Sequence, residues 1–408
     1  MIFSNSTDRQ ATQSIKTRVG PQGEVILLCL VLSSFSVSSI FLSKIFGYLL
    51  VAAAFGASCL WLLATNQVKL VAPKLVIWPY VIVLCLFLPG TIQKSSTRGI
   101  ARLITFMIVT TVLVFFLIRN VNFERFWRWY GIVTAIIVIL GLPTIFIDQY
   151  SLGSMSITAY RTTPAAPIDI RINTISSIFT NPNHLALVCC FAVVGLVVTQ
   201  KLSKGSAILV GINAFGVFVA DGQAAQLAVI GGLGIFAMGL IRRSFVTPVT
   251  TLALGVIITG LLMLFQIIPG PEYLSTFSLS GRRHLWSASV QAINAKSLIG
   301  YGTVDMSTVL LPYITDPRRL GAGPHNSYIR IALSGGLLCG LAYLFLHLYG
   351  LIQSARSSTR GTLASNSLLW SVIILQLFNG KSLFGLSPSS ILFAVALGWT
   401  VRELSDEF

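Results

Sequence analysis

Two residues in the second half of the chain, Arg282 and His325, have the chemistry to move a group off a phosphate, and they lie 43 positions apart. A guanidinium clamps phosphate oxygens through paired N–H bonds. An imidazole near neutral pH takes the proton of an attacking hydroxyl. Together they suit attack of a hydroxyl on a carbon whose leaving group is a lipid diphosphate, with arginine holding the departing charge. Arg282 belongs to Gly281-Arg282-Arg283-His284-Leu285-Trp286, ahead of an amphipathic stretch to Ile299 and a Gly300-Tyr301-Gly302 turn. His325 closes the same polar segment at Pro324-His325-Asn326-Ser327-Tyr328, where an apolar run begins.

Further polar groups are available to an anionic substrate. Arg283 adjoins Arg282, Arg161 and Arg171 lie in an earlier polar segment, and Lys94, Arg98 and Arg102 lie near one apolar run. Asn326 and Tyr328 follow the histidine, and Asn183 sits in Asn181-Pro182-Asn183-His184 at the start of another run. Each has a plainer reading. Arg282 and Arg283 could anchor an interfacial helix to headgroups, with Trp286 at headgroup level on a face shared by Val290, Ile293 and Ser297. His325 or His184 could serve as a helix cap. Arg318 and Arg319 suit headgroups or solvent, and His347 suits a packed position, although ionisable groups inside membranes are functional suspects. Asp221 reads as a solvated turn. Acids are sparse: Asp148 and Asp169 between 148 and 183, then Glu272, Asp305 and Asp316 between 269 and 325, with no close pair. A magnesium-bridged diphosphate would need such a pair, so no metal and no cofactor is expected.

The elements that must carry these residues follow from composition. Of 408 residues, 54% are hydrophobic and 10% charged, against roughly 25% charged in a soluble domain. Mean hydropathy is +0.83. A soluble enzyme, a disordered chain and a coiled coil are excluded. The reading is an all-α, polytopic integral membrane protein, one membrane domain over 1–408. A bilayer-crossing helix takes about 20 mainly apolar residues. Twelve such runs are read near 24–43, 45–64, 75–91, 100–118, 129–147, 184–200, 206–220, 224–241, 246–268, 328–352, 364–380 and 386–401. The six cysteines all fall inside apolar runs and read as small core residues.

The formal charge of +16 would suggest nucleic acid on a soluble protein. Here basic loops that anchor a membrane protein account for much of it, and no nucleic acid is expected. Arg9, Lys16, Arg18, Lys69, Lys74, Arg119, Arg125, Arg128, Lys201, Lys204, Arg242, Arg243, Arg356, Arg360 and Arg402 all fall on one side of the twelve-span topology. The positive-inside rule then puts both termini in the cytoplasm. Two long outer loops, 148–183 and 269–325, remain; the second carries Arg282 and His325. Long loops on compact scaffolds tend to be functional. A transporter of a glycan lipid, or of a small anion such as bicarbonate, is the alternative, but no internal repeat of the kind transporters show is visible.

At these residues the chain resembles the O-antigen ligase and O-antigen polymerase superfamily of bacterial envelope enzymes. The matching pieces are Gly-Arg-x-x-x-Trp at 281–286, Leu298-Ile299-Gly300-Tyr301-Gly302, His325-Asn326-x-Tyr328 opening a span, glycines at 335, 336 and 340, and Asn181-Pro182-Asn183. The likeness covers roughly residues 170–350. It implies a multi-pass protein of the bacterial inner membrane with an extracytoplasmic active face. It further implies a metal-independent glycosyltransferase with a polyprenyl-diphosphate-linked glycan as donor and a lipid or glycan hydroxyl as acceptor. His325 falls on the family's proposed base and Arg282 on its loop arginine. The expected reaction inverts the anomeric carbon, with Arg283, Arg161, Arg171 and Arg98 as further charge donors. Two departures stand out. Gly222-Gln223-Ala224-Ala225 occupies the place where many relatives carry Ser-Arg-Gly, and Ser334 a place where many carry Glu.

Overall fold

The computed structural model describes residues 22–406 apart from 69, 71, 94–96, 154, 166–169, 202, 265–267, 272–281 and 358. Arg9, Lys16, Arg18, Lys69, Lys94, Asp169, Glu272 and Gly281 lie outside the described residues, as do the side chains of Arg98, Arg161 and Arg171. Helices occupy all twelve expected positions. In chain order they are α1 (Gly23–Ser36), α2 (Lys44–Ala64), α3 (Lys74–Gln93), α4 (Thr97–Val112), α5 (Phe123–Gly141), α6 (Pro182–Thr199), α7 (Lys204–Val219), α8 (Gln223–Ile241) and α9 (Val246–Leu264). The second long loop holds α10 (Arg282–Ala295) and α11 (Met306–Leu310), and then come α12 (Ser327–Gly335), α13 (Leu337–Arg356), α14 (Arg360–Phe378) and α15 (Pro388–Ser405). Among the described residues, nine helical segments are long and apolar enough to cross a membrane, while α1 and α7 are shorter apolar helices. The protein is an all-α polytopic membrane protein.

Side-chain caps set many of the helix starts. Ser43, Asn122, Asn181, Ser203, Asn326, Thr359 and Ser387 each accept a backbone N–H from the first turn that follows, satisfying one of the donors a helix start leaves unpaired.

The composition of each helix decides whether it is central. Of the apolar stretches of α6 and α14, 78% is buried, against 17% for the segment containing α9. Thr362, Ser365, Asn366, Ser367, Ser371 and Gln376 of α14 are all fully buried. Small and polar residues on every side let neighbouring helices approach and hydrogen-bond; α9 is mostly Leu, Ile, Val and Thr and faces outward. Cys189, Cys190 and Cys339 are buried, but Cys29 and Cys85 are exposed on the bundle's flank. The reading of all six cysteines as core residues is corrected for those two: an apolar run in a membrane protein has a lipid side as well as a protein side.

Two further expectations are corrected, and the first long loop has structure of its own. The first long loop contains two antiparallel hairpins, β1 (Gln149–Leu152) with β2 (Met155–Thr158) and β3 (Arg161–Ala165) with β4 (Ile170–Thr174). The helix carrying Trp286 stops at Ala295, and Trp286 is not at a headgroup surface. It is 1% exposed, its indole N–H donating to the Pro324 carbonyl at 2.8 Å. The expected span 328–352 is two helices, broken at Gly336, where φ is +87°.

That break is stitched by the Gly300-Tyr301-Gly302 turn. Tyr301 N–H donates to the Leu333 carbonyl at 2.7 Å, Gly302 N–H to Ser334 at 2.8 Å, and Leu337 N–H to Ser297 at 2.7 Å. Irregular backbone within a membrane protein needs such partners, because lipid offers none. Gly300 and Gly302 have φ of +66° and +72°, and a Cβ on either would lie 2.6 Å from backbone atoms of the 333–336 break or of Gly90 and Thr91. The turn therefore requires glycine on two counts, backbone angle and space.

Candidate active site

The stitch holds α12 at the end of the bundle that carries the long loops. Ser327, Arg330 and Ser334 share one stripe of α12 at helical spacing. Ser327 Oγ donates toward the carbonyls of Asn379 and Lys381 at 2.6 and 2.5 Å. Arg330 Nη1 donates to the Gly380 carbonyl at 2.7 Å. The stripe thus grips the 379–387 loop between α14 and α15, which carries Lys381.

Between this stripe and α1, α2, α3, α4 and α6 lies a cavity of about 330 Å³. Its polar lining is basic: Lys44 from α2, Arg102 from α4, Arg330 from α12, Lys381, and His184 from the first turn of α6. Ser38, Thr180, Thr303, Ser382, Ser387 and Ser390 add polar residues to the lining, and Phe87, Leu103, Phe106, Phe384 and Leu386 form apolar walls. Among the described residues, no carboxylate lines it. Burial, followed by the charges of Arg330 and Lys44, holds Lys381 below the ordinary lysine value; Asp305 pulls the other way, and Arg102 adds to the lowering. Cations that disfavour one another's charge are stabilised together by an anion. His184 contributes to the lining, and its Nδ1 is buried without a hydrogen-bond partner among the described residues.

His325 and Arg282 sit beside this cavity and outside its lining. His325 occupies the left-handed region, φ +47°, between the Pro324 carbonyl held by Trp286 and the N-cap Asn326. Gly380 lies against its backbone, close enough that a Cβ there would be 3.5 Å from His325 Cα. The residue is exposed to solvent. Partial burial, and then the charges of Arg282, Lys381 and Arg319, hold the imidazole below its ordinary value. Burial also lowers the Arg282 guanidinium, which lies over the Phe378 ring at 5.6 Å. The structure therefore brings Arg282, His325 and Lys381 into one electrostatic neighbourhood, with Arg283 half-buried next to Arg282 in α10.

The other sequence candidates are placed differently. Asn326 is 4% exposed and caps α12, its Oδ1 accepting from Ile329 N at 3.1 Å. The cap expected of His325 is thus made by its neighbour. Tyr328 turns into the bundle, its ring 5.6 Å from Tyr343 and 5.8 Å from His347. Asn183 is exposed at the start of α6. Arg98 is one turn before Arg102 in α4, and Arg161 and Arg171 are on the paired strands β3 and β4. Arg318 forms an exposed ion pair with Asp316 at 3.1 Å, and Asp221 is exposed in the turn between α7 and α8. His347 is buried and hydrogen-bonded on both ring nitrogens. The residues that sequence reasoning missed are Arg330, Lys44 and Lys381. A signal existed for Arg330, the lone Lys or Arg between Arg319 and Arg356, since a charge inside an apolar stretch is a functional suspect.

Residues 207–344 match the model of a family described as O-antigen ligase. That stretch, about a third of the chain, is similar to the O-antigen ligase family and supports the resemblance to the O-antigen ligase and polymerase superfamily. That match includes α10, the stitched break, His325 and Arg330, whereas Lys44, Arg102, His184 and Lys381 lie outside it. No curated protein matches the chain.

Proposed function

We propose that the protein transfers a glycan from a polyprenyl-diphosphate donor to an acceptor hydroxyl at the extracytoplasmic face of the bacterial inner membrane, with both termini cytoplasmic. The observation that carries this reading is a cavity lined by Lys44, Arg102, Arg330 and Lys381, with no carboxylate among the described lining residues, and with His325 at its edge. The cations hold the diphosphate as negative charge builds on the leaving oxygen, so that a metal is not needed. His325, kept neutral by its surroundings, takes the acceptor proton as the hydroxyl attacks C1 from the face opposite the diphosphate. The bond from C1 to the acceptor oxygen forms, the bond from C1 to the diphosphate oxygen breaks, and the anomeric carbon inverts. Arg282 and Arg283 flank this edge. Arg98 on α4, Arg161 and Arg171 on strands β3 and β4, and Asn183 at the start of α6 are further candidates for holding the glycan. The four cavity cations take the part of the arginine that many relatives carry where this chain has Gln223.

The test is transfer by purified, detergent-solubilised protein from a polyprenyl-diphosphate oligosaccharide to a panel of lipid and glycan acceptors, in EDTA. Product of inverted configuration, lost on Lys381→Met with Arg330→Met, is expected. Donor binding without transfer to any acceptor would move the reading to transport.

A further inference from the structure

His347 is the one imidazole placed wholly inside the bundle, and the reaction above does not use it. It belongs to a chain of hydrogen bonds that ends on the cavity loop. Leu383 N–H donates to the Tyr343 hydroxyl at 3.0 Å, and that hydroxyl donates to Gln376 Oε1 at 2.8 Å. Gln376 Nε2 lies 3.1 Å from His347 Nε2, and His347 Nδ1 lies 2.9 Å from the Tyr343 carbonyl. Tyr343, His347 and Gln376 are all 0% exposed.

The direction of the chain is fixed from one end. The Tyr343 carbonyl can only accept, so His347 donates to it from Nδ1, and in the neutral ring Nε2 accepts from the Gln376 NH₂. Gln376 Oε1 is left to accept the Tyr343 hydroxyl proton, and the hydroxyl oxygen accepts the Leu383 N–H. Each side chain in the series has one arrangement that satisfies all of them.

We propose that Tyr343, Gln376 and His347 act as a positioning relay that fixes the 379–387 loop, and with it the Lys381 ammonium, against the cavity. This rests on the cavity being the anion site proposed above. The loop is held from two sides: α12 takes the carbonyls of residues 379 to 381 through Ser327 and Arg330, and α13 takes the Leu383 N–H through Tyr343. Lys381 lies between these tethers. The three relay residues are positioning residues and touch no substrate.

The relay is tested with inorganic pyrophosphate as the anion probe and with backbone hydrogen exchange. Tyr343→Phe keeps the ring and removes only the hydroxyl. Exchange in a peptide covering 379–387 should accelerate about tenfold or more, while α14 stays protected. Pyrophosphate affinity should fall about tenfold, and about as far in Lys381→Met. In the double variant the losses should not add, because both act through one ammonium. Ser327→Ala, which cuts the opposite tether, should also speed exchange in this peptide and keeps the question open to test if Tyr343→Phe does not accumulate. Unchanged exchange in the 379–387 peptide, or additive losses of affinity, would overturn the relay. Wild-type protein that fails to bind pyrophosphate overturns the anion reading first, before any variant is made, and the relay's role with it.

Discussion

Arg330 Nη1 donates to the Gly380 carbonyl at 2.7 Å, so one cavity cation holds the backbone next to another. Arg330 therefore shapes the site as well as charging it. A lysine has no planar fork with which to hold a loop carbonyl and an anion together.

Arg330→Lys should accordingly weaken donor binding although the formal charge is kept. Hydrogen bonds to charged groups contribute about 1.5–3 kcal/mol, which corresponds to roughly a 10- to 150-fold rise in donor KM or pyrophosphate Kd. Isothermal titration with pyrophosphate measures it directly. Unchanged affinity would remove Arg330 from the anion site.

His325→Ala should lower kcat by about 10²–10⁴, the usual range for a general base. His325 is outside the cavity lining, so pyrophosphate affinity should stay within about twofold of wild type. A loss of binding equal to the loss of turnover would instead make the histidine part of the donor site.

The pH profile has a definite sign. Burial and the nearby Arg282, Lys381 and Arg319 lower the His325 value, and a general base works in its neutral form. Transfer measured as kcat/KM should thus be flat through pH 7 and decline only as pH falls below the ordinary histidine value of about 6.5. Arg282→Met removes one of the charges that lower it, so the acid limb should move to higher pH. A limb that stays in place in that variant would show that Arg282 does not act on His325.

The architecture was legible because period and length alone identify apolar helices: every one of the twelve runs holds one. Arg282 and His325 stood out because loop residues of those types have few structural duties. Lys44 and Lys381 did not, since each is a single basic residue beside a span, and single basic residues beside spans are common anchors. What links them is contact between α2, α4, α12 and the 379–387 loop, over more than 300 positions of sequence. The break at Gly336 was hidden for a different reason. Leu333, Ser334, Leu337 and Leu338 continue an apolar helical pattern, and only the pairing with Tyr301 and Gly302 shows where it stops.

Gly302→Ala and Gly321→Ala separate backbone angle from space. Both glycines have positive φ, but a Cβ on Gly321 would meet nothing within 4 Å, whereas on Gly302 it would press on the Gly90 backbone. Gly321→Ala should cost about 1–2 kcal/mol. Gly302→Ala should cost more and open the stitch, seen as a much larger fall in melting temperature in detergent. Equal falls would mean that contact with Gly90 contributes nothing.

The cavity's cations come from positions 44, 102, 330 and 381, yet the stretch that matches the family ends at 344. A chimaera that exchanges only residues 207–344 between two relatives would import the histidine, the loop arginines and one cavity cation, and leave the other three to the recipient. Donor preference should therefore not travel with that cassette. It should follow the recipient's flanking helices, and moving it requires grafting three separated pieces at once.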